Sequence, residues 1–124
     1  CLGMQLAIIE AMRNLCNIKD ATSSEFNDTG THVVGLMSEW VKGNEVEKRT
    51  VKDDLGGTMR LGRYPCKIKS GTLAYQIYNQ NLIYERHRHR YEINNAFVKE
   101  LERKNIIFSG VSEDGVLPEI MENT

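Results

Sequence analysis

The sequence has no long apolar run, no excess of charge of one sign and few cysteines. No stretch approaches the roughly 18 consecutive apolar residues that a membrane-spanning helix needs, and no signal peptide is visible. There are 16 basic and 17 acidic residues, and the formal net charge of -1 argues against a general nucleic-acid or membrane binder. With 40% hydrophobic and 27% charged residues, the 124-residue chain is typical of a soluble globular domain or part of one.

The three cysteines, Cys1, Cys16 and Cys66, are an odd number and lack the spacing of a metal site. Such usage indicates reduced thiols in a cytoplasmic protein and not a disulfide framework. Because the sequence opens on Cys1 instead of methionine, we expect it to be a piece of a longer polypeptide.

The first residues predict an amphipathic helix that begins beside a cysteine. Apolar residues recur at helical spacing, at Met4, Ala7, Ile8, Ala11, Met12 and Leu15. A cysteine in this position lies in the field of free N–H groups, which favours the nucleophilic thiolate. The same groups could hold an oxyanion, and Gly3 would allow close approach of another backbone segment. On these residues alone, an ordinary core helix is the commoner interpretation.

The rest of the chain predicts short strands and helices in alternation. Residues 17–30 are polar and indicate a loop that carries Glu25, and Asn95 is expected to cap a helix that carries Leu101. A short helix should follow Thr72, and a hairpin turn is expected at residues 113–115. Strands are expected at 32–40, 55–62, 64–69, 82–93, 106–111 and 117–121, with an exposed hairpin or loop at 41–52. The pattern favours an α/β layer architecture, in which the later strands could form an antiparallel extension.

Residues 85–92, Glu-Arg-His-Arg-His-Arg-Tyr-Glu, form an unusually basic stretch. In a strand, one face would carry His87, His89 and Tyr91 and the other would carry Arg86, Arg88 and Arg90. The stretch could bind phosphate or nucleic acid. It could also form a His-x-His zinc site, for which no third ligand is evident. The third alternative is a polar strand whose arginines pair with glutamates. Three arginines on one face favour some anionic partner.

Four stretches together resemble one enzyme family. Residues 1–5, Cys-Leu-Gly-Met-Gln, resemble the nucleophile elbow of class I (triad) glutamine amidotransferases. Residues 23–26, 55–62 and 85–92 resemble the amidotransferase domain of the CTP synthase family in particular. The resemblance spans nearly the whole chain and implies a class I amidotransferase-like (flavodoxin-like) α/β fold of three layers with a mixed central sheet, incomplete at both ends. Residues 1–124 would form part of that domain, ending before a Gln-Phe-His-Pro-Glu stretch, with the synthetase domain absent.

The resemblance implies a nucleophile and an oxyanion donor. Cys1 would attack the side-chain amide of L-glutamine to form a γ-glutamyl thioester and release ammonia, and the backbone N–H of Leu2 would hold the oxyanion. The family's His and Glu partners belong to the Gln-Phe-His-Pro-Glu stretch, which none of the chain's histidines (His32, His87 and His89) matches. We therefore expect the 124-residue chain alone to be inactive.

The resemblance also implies a glutamine pocket. Glu25 would pair with the substrate ammonium, and Arg90 would bind its carboxylate through a charged fork. Gln5 and the backbone of Tyr91 would complete the pocket. No metal and no cofactor are expected in this segment.

Further expectations concern the full-length protein that the resemblance implies. Ammonia would pass to a synthetase domain of the same polypeptide, which uses ATP, Mg²⁺ and UTP to make CTP, with GTP as allosteric activator. That protein would be a cytoplasmic homotetramer that binds neither nucleic acid nor membrane. Two alternatives stay open: another class I amidotransferase, and a catalytically silent amidotransferase-like module that binds a partner. A His-x-His metal protein is a more distant possibility.

Overall fold

The computed structural model describes residues 1–36 and 60–124. The helices are α1 (Leu2–Asn14), α2 (Leu73–Tyr78) and α3 (Val98–Glu102), the last preceded by a 3-10 turn at Asn95–Phe97. The strands are β1 (Ala21–Ser23), β2 (Thr31–Gly35), β3 (Arg60–Ile68), β4 (Leu82–His89), β5 (Glu92–Ile93), β6 (Ile106–Ser112) and β7 (Pro118–Asn123). The hairpin predicted at 41–52, most of the strand predicted at 55–62 and the end of the strand predicted at 32–40 lie outside the described residues.

Helix α1 covers one face of a small sheet, and of the predicted apolar stripe Ile8, Ala11 and Met12 are buried whereas Ala7 and Leu15 are exposed. In its last turn, Arg13 donates a hydrogen bond from Nε to the carbonyl of Ala21 at 2.7 Å, so the end of α1 lies beside the start of β1. Its buried apolar residues are Ile8, Ile9, Ala11 and Met12. Among residues 1–36 and 60–124, no helix has the length and apolar character needed to cross a membrane.

Strands β1, β2 and β5 form the three-stranded sheet under α1, in the order β1-β2-β5. β1 runs parallel to β2, and β5 runs antiparallel to it. The end of β1 and the start of β5 therefore lie at the same end of this sheet. Its buried side chains share one core with α1, α3 and β6, which contribute Met12, Leu101 and Phe108.

The other four strands form an antiparallel sheet in the order β4-β3-β6-β7. Helix α2 packs on it over a second, smaller core of Cys66, Ile68, Ala74 and Ile83. Glu122 on β7 accepts hydrogen bonds from the first backbone N–H groups of α2, at 3.0 Å from Leu73 and 2.7 Å from Ala74. A carboxylate from a distant strand thus satisfies donors that a helix start leaves unpaired.

The chain passes from one sheet to the other at a two-residue link. β4 ends at His89 in the four-stranded sheet, and β5 begins at Glu92 in the three-stranded sheet. Arg90 and Tyr91 lie between them, outside both strands. The basic stretch recognised in the sequence therefore spans the junction between the two sheets.

The mixed α/β class expected from the sequence is confirmed, with the described strands divided between two sheets. The short helix after Thr72 is confirmed as well, because the Thr72 side chain accepts a hydrogen bond from the backbone of Tyr75. The turn at 113–115 does join two antiparallel strands, β6 and β7.

Three local predictions were wrong. The loop expected at 17–30 contains β1, whose polar residues are buried because the strand lies between α1 and β2. The single strand expected at 82–93 is broken where the chain changes sheet. The helix expected to be capped by Asn95 is instead preceded by a 3-10 turn that Asn94 caps, its side chain accepting from Ala96 N at 2.9 Å.

We predict that Gly110→Ala destabilises the fold by about 1–3 kcal/mol through overpacking. A Cβ atom at this buried position would lie 2.8 Å from Cys66 Sγ and equally close to the Ile120 side chain. Urea-induced unfolding measures the loss. Gly3→Ala is the matched control, because a Cβ there meets nothing within 4 Å and alanine is the better helix former. Equal stability of the two variants would contradict this packing.

Candidate active site

Cys1 is the N-cap residue of α1 and its side chain is exposed. The first backbone bond of the helix joins Gln5 N to Cys1 O at 3.2 Å, so the N–H groups of Leu2 and the next two residues have no acceptor within the helix. Cys1 thus lies beside free donors and the positive end of the helix dipole, as the sequence predicted. The close approach expected at Gly3 is not found among the described residues.

A cleft of about 390 Å³ opens beside Cys1. Its apolar wall comes from α2, chiefly Ala74 and Ile77. Its polar wall comes from β4 and β7 and is formed by Glu85, Arg86, His87, Glu119 and Glu122. Of the residues predicted to form the glutamine site, Cys1 lines this cleft, whereas Gln5, Glu25, Arg90 and Tyr91 do not.

The side chain of Gln5 connects α1 to the link between the two sheets. Gln5 is only 4% exposed, and its Nε2 donates a hydrogen bond to the carbonyl of Tyr91 at 2.8 Å. Gln5 lies one helical turn beyond Cys1, on the same side of α1. The structure therefore brings together two of the groups that the sequence assigned to a glutamine pocket.

Glu25 and Arg90 lie at the same end of the three-stranded sheet as Cys1. Glu25 follows the end of β1 in a tight turn, where its backbone N–H donates to Ser23 Oγ at 3.1 Å. Arg90 precedes the start of β5, which lies at that same end, and α1 begins there because it ends beside the start of β1. Both side chains are exposed.

The arginines of the basic stretch point to solvent as the alternation predicts. Arg86, Arg88 and Arg90 are all exposed, and in the described part of the chain none lies within 4 Å of a carboxylate oxygen. The interpretation in which glutamates neutralise this face is therefore not supported by the described residues. Arg86 lines the cleft beside Cys1.

The two histidines of the stretch bond to each other and to the link. His87 Nδ1 lies 2.9 Å from His89 Nε2, and His89 Nδ1 lies 3.0 Å from the carbonyl of Tyr91. Because a carbonyl can only accept, the proton of His89 is on Nδ1. His89 Nε2 then accepts from His87 Nδ1–H. Three of the four ring nitrogens are engaged in these contacts. No group of three or more potential metal ligands occurs within residues 1–36 and 60–124.

A buried set of charged side chains lies next to the histidines. Arg60 on β3 contacts Glu119 on β7, and its Nη1 lies 3.9 Å from Glu92 Oε2. His87 Nε2 is 3.8 Å from Glu119 Oε1, although β4 and β7 are the two outer strands of the sheet. These contacts across the outer strands indicate that the sheet is strongly curled, since flat neighbouring strands lie about 4.8 Å apart.

Burial changes the pKa values of the ionisable side chains in and beside this buried set. Burial, together with the charge of Arg60, lowers the pKa of His87 to about 4, and burial also lowers that of His89. Burial raises the pKa of Glu92 to about 8, against the opposing effect of Arg60. At neutral pH both histidines are therefore neutral and Glu92 retains its proton.

Sequence reasoning missed Arg60, Glu92 and Glu119 as members of this set. The first two belong to stretches that were recognised for their resemblance, but nothing in the sequence pairs them. Glu119 carries no local signal, because it meets its partners only through the curling of the sheet.

The chain belongs to the class I glutamine amidotransferase family: the family model for glutamine amidotransferase class-I matches residues 1–124. Relatives similar to it are CTP synthases. It is 57% identical over 122 residues to the CTP synthase of Maricaulis maris and 58% identical over 123 residues to that of Rhodopseudomonas palustris. Each alignment covers 98% of this chain, which spans only 22% and 23% of the length of those relatives.

A solved structure agrees with this assignment. The chain is similar to the glutaminase domain of Trypanosoma brucei CTPS with bound acivicin, with a TM-score of 0.79 and 35% sequence identity. The superposition covers 98% of this chain and 45% of that one. The class I amidotransferase fold expected from the sequence is thereby confirmed.

We predict that stability falls as pH rises from about 6.5 to 8. In this window Glu92 keeps its proton in the folded chain but has lost it in the unfolded chain, where its pKa has the ordinary value of 4.5. The free energy of unfolding therefore decreases with pH, by at most about 1.4 kcal/mol per pH unit. Below pH 6.5 the unfolded chain protonates His87 while the folded chain does not, which offsets the effect of Glu92 down to about pH 4.5.

Urea midpoints measured across this pH range test the prediction. Glu92→Gln should abolish the decline above pH 6.5, whereas Glu100→Gln, at an exposed position on α3, should leave it unchanged. A decline that survives in Glu92→Gln would assign it to another group.

Proposed function

We propose that this chain is the glutamine-hydrolysing part of a CTP synthase and that Cys1 is its nucleophile. The observation that carries the proposal is the position of Cys1 at the start of α1, beside the cleft and one turn from the Gln5–Tyr91 hydrogen bond. The CTP synthase relatives, at 57–58% identity over 98% of the chain, support this choice over another class I amidotransferase.

In the proposed reaction, the thiolate of Cys1 attacks the side-chain carbonyl carbon of glutamine. The carbon–sulfur bond forms as the carbonyl electron pair moves to oxygen, and the N–H of Leu2 at the start of α1 is placed to stabilise that charge. Collapse of the intermediate breaks the carbon–nitrogen bond, and the departing nitrogen takes a proton and leaves as ammonia. Water then hydrolyses the thioester to give glutamate and free thiol. The proton donor would be the histidine of the Gln-Phe-His-Pro-Glu stretch that the resemblance implies.

The amino-acid end of glutamine would bind between Glu25 and Arg90. The carboxylate of Glu25 suits the substrate ammonium, and the guanidinium of Arg90 suits the substrate carboxylate through two parallel hydrogen bonds. Both groups are exposed at one end of the three-stranded sheet. The hydrogen bond from Gln5 on α1 to the backbone of Tyr91 in the link would complete the pocket. Because the Trypanosoma brucei glutaminase domain binds acivicin, we expect that compound to occupy this site too.

Residues 1–124 would form part of a glutamine amidotransferase domain within a longer cytoplasmic protein. In that protein the released ammonia would reach a synthetase domain of the same polypeptide, which uses ATP, Mg²⁺ and UTP to form CTP under activation by GTP. A homotetramer is the assembly that the resemblance implies.

In the full-length protein, Cys1→Ala should abolish glutamine-dependent CTP formation and leave ammonia-dependent formation largely intact, because only ammonia release needs the thiolate. Cys16→Ala, in the same region of the chain but after the end of α1, is the matched control and should retain both activities. The assay follows CTP with either nitrogen source. Glutamine-dependent activity that persists in Cys1→Ala would contradict Cys1 as the nucleophile, whereas its absence from the wild type would favour the silent binding module.

Glu25→Ala and Arg90→Ala should each lower kcat/KM for glutamine by about 30-fold or more, which corresponds to about 2 kcal/mol. Each change leaves one charged end of the bound substrate unpaired. Steady-state kinetics with glutamine and with ammonia separate this effect from a general loss of activity.

Arg88→Ala is the control for Arg90→Ala, because Arg88 is an exposed arginine two residues away, on β4 and outside the link. Asp28→Ala serves similarly for Glu25, as an exposed carboxylate in the same loop. If Glu25→Ala and Arg90→Ala each behave like their controls, the assignment of these two residues to the amino-acid end of glutamine is wrong.

A further inference from the structure

The carbonyl of Tyr91 accepts two hydrogen bonds at the link between the sheets. Gln5 Nε2 donates at 2.8 Å and His89 Nδ1 at 3.0 Å, so both lone pairs of the oxygen are used. The link residues Arg90 and Tyr91 belong to neither sheet, and the Tyr91 carbonyl lies in the peptide that leads into Glu92, the first residue of β5. The two side-chain donors therefore hold the chain where it leaves the link and enters the three-stranded sheet.

The donor on His89 is set by a short chain of hydrogen bonds. His89 can donate from Nδ1 only if its Nε2 accepts, and the partner 2.9 Å from Nε2 is His87 Nδ1. The other nitrogen of His87, Nε2, is buried and has no hydrogen-bond partner among the described residues. The orientation His87 to His89 to Tyr91 is the one in which every short contact joins a donor to an acceptor.

The charged groups around the histidines are compatible with this orientation. Glu92 Oε2 lies 3.4 Å from His89 Nδ1, which is longer than the 3.0 Å to the Tyr91 carbonyl. Arg60 lies against Glu119, so the positive charge in the set is already balanced without a protonated histidine. A neutral His89 that donates through Nδ1 satisfies these contacts.

We propose that His89 is a positioning residue of the glutamine site, which holds the Tyr91 carbonyl so that Arg90 reaches the substrate carboxylate. The inference rests on the proposed function, since it assumes that Arg90 binds glutamine. His89 touches neither substrate nor Cys1 in this account, and it acts through one backbone oxygen. The Tyr91 carbonyl is occupied, so the backbone group of Tyr91 that remains for the substrate is its N–H.

Loss of the His89 donor should loosen the link and weaken glutamine binding more than turnover. In the full-length protein, His89→Leu should raise KM for glutamine about 3- to 10-fold, the range of one hydrogen bond, with kcat changed less than twofold. Ammonia-dependent CTP formation should be unchanged. His89→Asn, whose side-chain N–H₂ can reach the same carbonyl, should restore KM to within about twofold of the wild type.

The outcomes separate this inference from the function on which it rests. If wild-type protein shows no Cys1-dependent glutamine hydrolysis, the proposed function fails and the inference falls with it. If hydrolysis depends on Cys1 but His89→Leu leaves KM unchanged, the inference alone is overturned. It is also overturned if His89→Asn is as impaired as His89→Leu, or if His89→Leu reduces ammonia-dependent activity equally.

A measurement on the unaltered protein covers the case in which His89→Leu does not fold. Neutron diffraction from crystals of the full-length protein locates the histidine protons. A proton on Nδ1 of both His87 and His89 supports the proposal. A proton on Nε2 of His89 in place of Nδ1 overturns it, because His89 could then not donate to Tyr91.

Discussion

The hydrogen bond from the buried Gln5 side chain to the Tyr91 carbonyl joins parts of the structure that are 86 residues apart in sequence. A buried amide without a partner costs about 1–3 kcal/mol, so Gln5 is strongly constrained to lie against this carbonyl. Together with the core that α1 shares with the three-stranded sheet, this contact holds the start of α1 against the link between the sheets. Cys1 and Arg90 are thus placed relative to each other by interactions that involve neither of their own side chains.

The buried charged side chains are arranged so that little net charge is removed from water. Arg60 and Glu119 neutralise each other, while Glu92 retains its proton and the two histidines stay neutral. An isolated buried charge would be far more costly than any of these arrangements. The curl of the four-stranded sheet makes them possible, because it brings an outer-strand glutamate to residues on strands that are not its neighbours.

Much of the fold could be predicted from the sequence because its signals are local. The spacing in α1, the Thr72 cap and the turn at 113–115 each depend on a few adjacent residues. β1 was missed because its sequence, Ala-Thr-Ser, is buried by its position between α1 and β2 and not by its own hydrophobicity. The pairing of Glu119 with Arg60 could not be predicted at all, since it arises from tertiary curvature that no local pattern encodes. Of the glutamine site, the sequence alone indicated the cysteine and the alternating faces of residues 85–92, and the other assignments came from family resemblance.

The burial of Cys66, whose sulfur packs against Gly110, makes its reactivity differ from that of Cys1. Cys66 is fully buried, and burial together with the neighbouring Glu119 raises its pKa to about 12, whereas Cys1 is exposed at a helix start. Only thiolates react readily with electrophiles, so an alkylating reagent applied to the folded protein will discriminate strongly between these two sulfurs. Cys66 lies in the core between α2 and the four-stranded sheet, so it becomes reactive when that core opens. The rate at which it is alkylated therefore measures the opening of this core, independently of any activity at Cys1.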